Sequence, residues 1–104
     1  MALTEYVRLL DGENRIRVKF ETERGKVRKF IIQYELMAVN EWMPVVRYDT
    51  SHGFAHRDIL MPDGSQKKES FDLGDFGSTF TFAQEDLLQN WMSYRENYLG
   101  RIKK

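Results

Sequence analysis

Residues 47–58 read Arg-Tyr-Asp-Thr-Ser-His-Gly-Phe-Ala-His-Arg-Asp and hold both histidines of the chain, four residues apart. Imidazole moves protons near neutral pH, a neighbouring carboxylate selects its tautomer, and guanidinium stabilises developing phosphate charge. In this set His56 fits a general acid/base, Asp49 its orienter and His52 a second proton-transfer group. Arg47 or Arg57 fits a phosphate clamp, with Asp58 beside them. The reaction such a set suits is phosphodiester or nucleotidyl chemistry. The same segment offers His52, His56, Asp49 and Asp58 as imidazole and carboxylate ligands for Zn, Mn or Fe. A His-x-x-x-His pair is specific for metal when both rings lie on one helix face, and Gly53 and the strand pattern here oppose a helix. No cofactor is expected, with a divalent metal only as a secondary reading.

The flanking residues suggest how these side chains would be placed. With His52-Gly53 at the centre of a two-residue hairpin, Ser51 pairs with Phe54, Asp49 faces His56 and Arg47 faces Asp58. The opposite face then receives Val46, Tyr48, Ala55, Ile59 and Met61, a proper core face. A one-residue slip mixes apolar and charged groups on both faces, so the first register is preferred. Arg47 and Asp58 would form a cross-strand ion pair worth about 0.2–1 kcal/mol if exposed. The same pairs also read as solvent-facing decoration of an antiparallel sheet, without any chemistry.

The run Val46-Arg47-Tyr48-Asp49-Thr50-Ser51-His52-Gly53, followed by His56-Arg57-Asp58, resembles a family of short uncharacterised prokaryotic proteins of about this length. It is also distantly similar to the TumE-type toxins of bacterial and archaeal toxin–antitoxin pairs. That similarity rests on Arg47, Tyr48, Asp49, His52 and His56, an Arg-aromatic-Asp strand before a His-containing turn. It implies a small domain acting on RNA or nucleotides and held inactive by an antitoxin-like partner protein.

The elements that must position this segment follow from periodicity. Apolar and charged residues alternate through Arg15–Glu21 and again through 28–36, with Glu23-Arg24-Gly25-Lys26 as the hairpin loop between them. Tyr6–Leu10, Trp42–Thr50, Phe54–Met61 and Gln66–Leu73 read as further strands, with Pro62-Asp63-Gly64-Ser65 as a turn. From Phe82 the period becomes helical, with Leu87, Leu88, Trp91, Tyr94, Tyr98 and Ile102 on one side. Thr81 and Gln84 fit a capping box, while Arg101, Lys103 and Lys104 suit the C-terminal end of the dipole. Asp75-Phe76-Gly77 reads as connector. The predicted fold is α+β: an antiparallel meander of five or six strands, with one long helix over about residues 82–100 packed on one face. Ile16, Val18, Phe20, Phe30, Ile32, Tyr34 and Leu36 form the predicted core face, under Leu87, Trp91 and Tyr98. Arg15, Arg17, Lys19, Lys29, Gln33 and Glu35 are expected to face water.

Composition narrows the functions further. The 104 residues suit a single domain, 1–104, and 41% hydrophobic with 13% aromatic content argues for a packed core. Sixteen basic residues balance sixteen acidic ones, unlike a dedicated nucleic-acid binder. The absence of cysteine removes disulfides, thiolate metal sites and Cys nucleophiles. No apolar run has bilayer length, and MALTEYVRLLDGE lacks a signal-peptide pattern, so a cytoplasmic protein without membrane contact is expected. Two functions remain. The first is an interaction or regulatory module whose hairpin surface or charged edge strand (Gln66–Ser70) meets a partner protein or a second copy in a homo-oligomer. The alternative is a toxin-like enzyme acting on RNA or nucleotide phosphodiesters through Asp49, His52 and His56.

Overall fold

The computed structural model describes residues 1–102. It comprises β1 (Ala2–Asp11), β2 (Asn14–Glu23), β3 (Lys26–Ala38), β4 (Glu41–Asp49), β5 (His56–Leu60), β6 (Gln66–Ser70) and α1 (Phe76–Ile102). The strands lie in sequence order in one open antiparallel sheet. This is the predicted meander with six members. β1 starts four residues before the predicted Tyr6, because its pairing with β2 runs from Ala2 opposite Thr22.

Short turns set the strand order. Arg24 and Gly25 take φ of 54° and 77°, the left-handed pair that matches hairpin twist. Val39 and Asn40 do the same between β3 and β4, at φ of 49° and 65°. A β-branched residue resists that geometry, so Val39 hid this turn from the sequence. Pro44 lies inside β4, beside the bulge where register shifts between Tyr34 and Glu35, a site that tolerates a missing N–H.

One sheet face is covered by α1, chiefly over β3 and β4. Ile16, Val18, Phe30, Ile32, Tyr34, Val46 and Tyr48 are buried there against Ala83, Leu87 and Tyr98. Phe20 is only partly buried and packs on Phe80, with ring centroids 4.8 Å apart. Trp91 meets Tyr34 at 6.0 Å. Burying one such aliphatic or aromatic side chain contributes roughly 1.5–3 kcal/mol, which makes this face the main source of stability.

The helix starts six residues before the predicted Phe82. Asp75 caps it: the Ser78 N–H donates to Asp75 Oδ1 at 2.7 Å, and Ser78 Oγ donates to Oδ2 at 2.9 Å. The Ser78 N–H bond holds the Asp75 carboxyl below its usual range. Thr81 is not the cap; its hydroxyl donates to the Gly77 carbonyl one turn back at 3.1 Å. Gly77, Ser78 and Thr79 are poor helix formers, so periodicity alone placed the start too late. Lys103 and Lys104 lie outside the described residues. Among the described residues, no helix is long and apolar enough to cross a membrane.

Candidate functional site

The other sheet face carries no helix. Two adjacent cross-strand rows run over it: Glu5, Lys19, Ile31, Asp49, His56, Ser70 and Val7, Arg17, Gln33, Arg47, Asp58, Lys68. Asp49 therefore faces His56, and Arg47 faces Asp58, in the register expected from the segregation of polar and apolar residues.

The expectation that this face is uniformly wet is corrected at its centre. Glu35 is buried, accepting from Arg15 Nε at 2.6 Å and from the Gln33 amide at 2.5 Å. Arg15 in turn lies over the Trp42 ring at 4.1 Å. Long polar side chains thus lie flat across the sheet and seal one another from water. Asp49, Asp58 and His56 are buried in the same layer, His56 at 1% exposure and Asp58 at 2%.

Within this layer His56 Nε2 donates to Asp49 Oδ1 at 2.7 Å and lies 3.7 Å from Asp58 Oδ2. Asp49 Oδ1 also accepts from the Ser51 N–H at 3.1 Å and from Ser51 Oγ at 3.0 Å. Asp49 is thereby the orienter of His56 in geometric terms. Among the described residues, the buried His56 Nδ1 and Asp58 Oδ1 find no hydrogen-bond partner. At 1% exposure the His56 ring presents no atom to a substrate lying on the open sheet face, so the conformation does not offer it for proton transfer to one. The exposed His52 stacks over it, with centroids 5.6 Å apart.

Three further expectations are altered. The turn is not centred on His52-Gly53: the Gly53 N–H donates to the Thr50 carbonyl at 3.1 Å, placing Ser51 and His52 at the centre. Thr50 is drawn toward β3, its N–H donating to the Phe30 carbonyl and its Oγ1 accepting from the Phe30 N–H. The Ala55 carbonyl is drawn toward the Phe71 N–H, so β4–β5 pairing ends at Asp49 and His56. Gly53 still needs its glycine, at φ of 83°. Arg47 forms no ion pair with Asp58; its Nε donates to Gln33 Oε1 at 2.6 Å instead. Of the four residues read as metal ligands, Asp49, His56 and Asp58 converge, with donor atoms all within 4.8 Å of one another, and His52 is not among them.

Arg57 belongs to the opposite, helix-covered face. It is bound to Glu69 and donates to Tyr94 Oη at 3.2 Å. Tyr48 and Tyr94 both donate to Asp86 Oδ2, at 2.7 and 2.6 Å. This network ties β4, β5 and β6 to α1. Burial first, then the bond to Asp86, pushes the Tyr94 phenol up to about 12 and raises that of Tyr48 further. Sequence reading did not find this role of Asp86. The available signal was Tyr48, a hydroxyl on a core-facing strand position that demands a buried partner.

Fold and site together define an α+β domain with an open sheet and a sealed carboxylate–imidazole cluster on its uncovered face. The chain belongs to the family described as Domain of unknown function (DUF7718), whose profile matches residues 1–104. Searches of the curated proteins and of the solved structures found no match.

Proposed function

We propose that this protein is an interaction module that accepts a β-strand along the outer edge of β1, supplied by a second copy of the chain. The carrying observation is the contrast between the two sheet edges. β6 is short and charged, the usual protection against pairing, whereas β1 is ten residues long and has neither lysine nor proline. Leu3, Val7 and Leu9 on β1 point to the uncovered face and are 55%, 50% and 69% exposed. A two-fold axis at Tyr6 would set Leu3 against Leu9 of the second copy, pairing backbone and apolar side chains together. Wild-type protein should run as a dimer in light scattering at about 100 μM, which needs roughly 6 kcal/mol of association free energy. Leu9→Lys should be monomeric with its melting temperature nearly unchanged, since an exposed substitution shifts stability by only about 0.5 kcal/mol. A monomeric wild type would overturn self-pairing.

A second reading, phosphate chemistry of the TumE type, is favoured by Arg47. It makes no ion pair among the described residues and lines a groove of about 690 Å³ with Arg17, Lys19, Gln33 and Asp49. Lys19 is paired with Glu5 and Arg17 with Glu35, at 3.4 and 3.8 Å, which weakens the field of the groove. His52, not the sealed His56, would then meet the substrate. Were the reading right, His52→Ala should slow cleavage of an RNA oligonucleotide by about 10²-fold, the size of one acid–base contribution. No cleavage and no growth inhibition by wild type would end it.

A further inference from the structure

The geometry points to a divalent-cation site formed by Asp49, His56 and Asp58, with a first-row transition ion such as Mn²⁺ or Zn²⁺ as its ligand. The three side chains reach the cluster from facing positions on β4 and β5, and their donor atoms already lie within 4.8 Å of one another. A cation held at bonds of about 2.0–2.2 Å would draw the donor atoms together and replace the His56–Asp49 hydrogen bond.

Charge supplies the argument for an ion. Asp49 and Asp58 are both buried beside one imidazole. If the imidazole is neutral, two sealed carboxylates share no counter-charge, and Asp58 Oδ1 has no donor. If it is protonated, one positive charge faces two carboxylates and Asp58 Oδ1 is still without a donor. Either state leaves a buried polar atom unpaired, which proteins normally avoid. Arg47 is the cation opposite Asp58 in register, yet it is engaged by Gln33. Two carboxylates, a neutral imidazole and a divalent ion sum to zero charge. The unpartnered Asp58 Oδ1 is the atom that a metal would satisfy.

The donor set selects the class of ion. One nitrogen with two carboxylates suits Mn, Fe or Zn better than Ca or Mg, which prefer oxygen alone. Ser51 supports the site from outside by holding Asp49 Oδ1 through both its N–H and its hydroxyl. Asp49 also lines the groove on the uncovered face, the side from which an ion would reach the cluster. None of this depends on the β1 edge or on RNA chemistry.

The test compares wild type with Asp58→Asn, titrated with MnCl₂, ZnCl₂ and CaCl₂ after chelator treatment. Calorimetry on wild type should show one site for Mn²⁺ or Zn²⁺, and Mn²⁺ bound there should lose its free-ion electron-spin resonance signal. Saturating metal should raise the wild-type melting temperature by about 5 °C or more, with little response to Ca²⁺. Asp58→Asn removes a buried charge at constant shape. Without metal it should melt at the same temperature or higher, and the metal-dependent rise should vanish. If Asp58→Asn fails to fold, the spin-resonance titration of wild type decides alone. Wild type that takes up no Mn²⁺ or Zn²⁺ overturns the site, as it would if a buried water filled the gap. A metal-dependent rise that survives in Asp58→Asn overturns it equally, because the ion would then sit elsewhere.

Discussion

Ending the chain at Asp75, before α1, is expected to abolish cooperative thermal unfolding and leave an aggregating product. Without the helix, Ile32, Tyr34, Val46 and Tyr48, all fully buried in the intact protein, would face water together. Soluble monomers rarely expose apolar patches larger than a few hundred Å². The truncation also removes Asp86, leaving the Tyr48 hydroxyl without its acceptor. Circular dichroism melts and dye binding check the outcome. A soluble truncated chain with a sharp melting transition would show that the sheet does not need α1. A milder companion is Leu87→Ala, at a helix position fully buried against the sheet. It should cost about 2–5 kcal/mol, a large share of the roughly 5–15 kcal/mol that holds a typical domain.

Stability should also fall steeply in alkali, between about pH 10 and pH 12. The phenols of Tyr34, Tyr48 and Tyr94 all have raised pKa values, burial being the first cause in each. Tyr94 is pushed up to about 12, against about 10 in an unfolded chain. Between those values the folded state holds protons that the unfolded state has released. The contribution is therefore complete below about pH 10 and is lost as pH rises through the folded value. For Tyr48 and Tyr94 the Asp86 carboxylate adds to the effect, since a phenolate could no longer donate to it. Phenolate absorbance from these residues should appear together with the loss of helical ellipticity. Smooth titration of all tyrosines in a still-folded protein would contradict the buried network.

Much of the architecture was legible because its signals are local. Strict alternation through Arg15–Glu21 and 28–36 marks a half-buried hairpin, and one apolar stripe from Leu87 to Tyr98 marks its cover. The register of β4 on β5 was legible for the same reason. Only one pairing of residues 46–59 keeps Val46 and Ile59 off the face that carries Asp49 and His56. The helix start was not, because the Asp75 cap outweighs the poor propensities of Gly77, Ser78 and Thr79.

The sequence by itself thus determined which side chains share a face, since period and composition act between near neighbours. What those side chains touch was decided only in three dimensions. Thr50 and Ala55 moved the turn because Phe30 and Phe71, on other strands, compete for their backbone groups. Gln33 captured Arg47 and left Asp58 without an arginine partner because β3 lies on the other side of β4. Arg57 was lost to the site because consecutive strand residues point to opposite faces and Glu69 and Tyr94 wait on the far one. The burial of Asp49, His56 and Asp58 has no sequence signature at all. It arises from side chains of separate strands lying across one another, and charged residues look the same in sequence whether water reaches them or not.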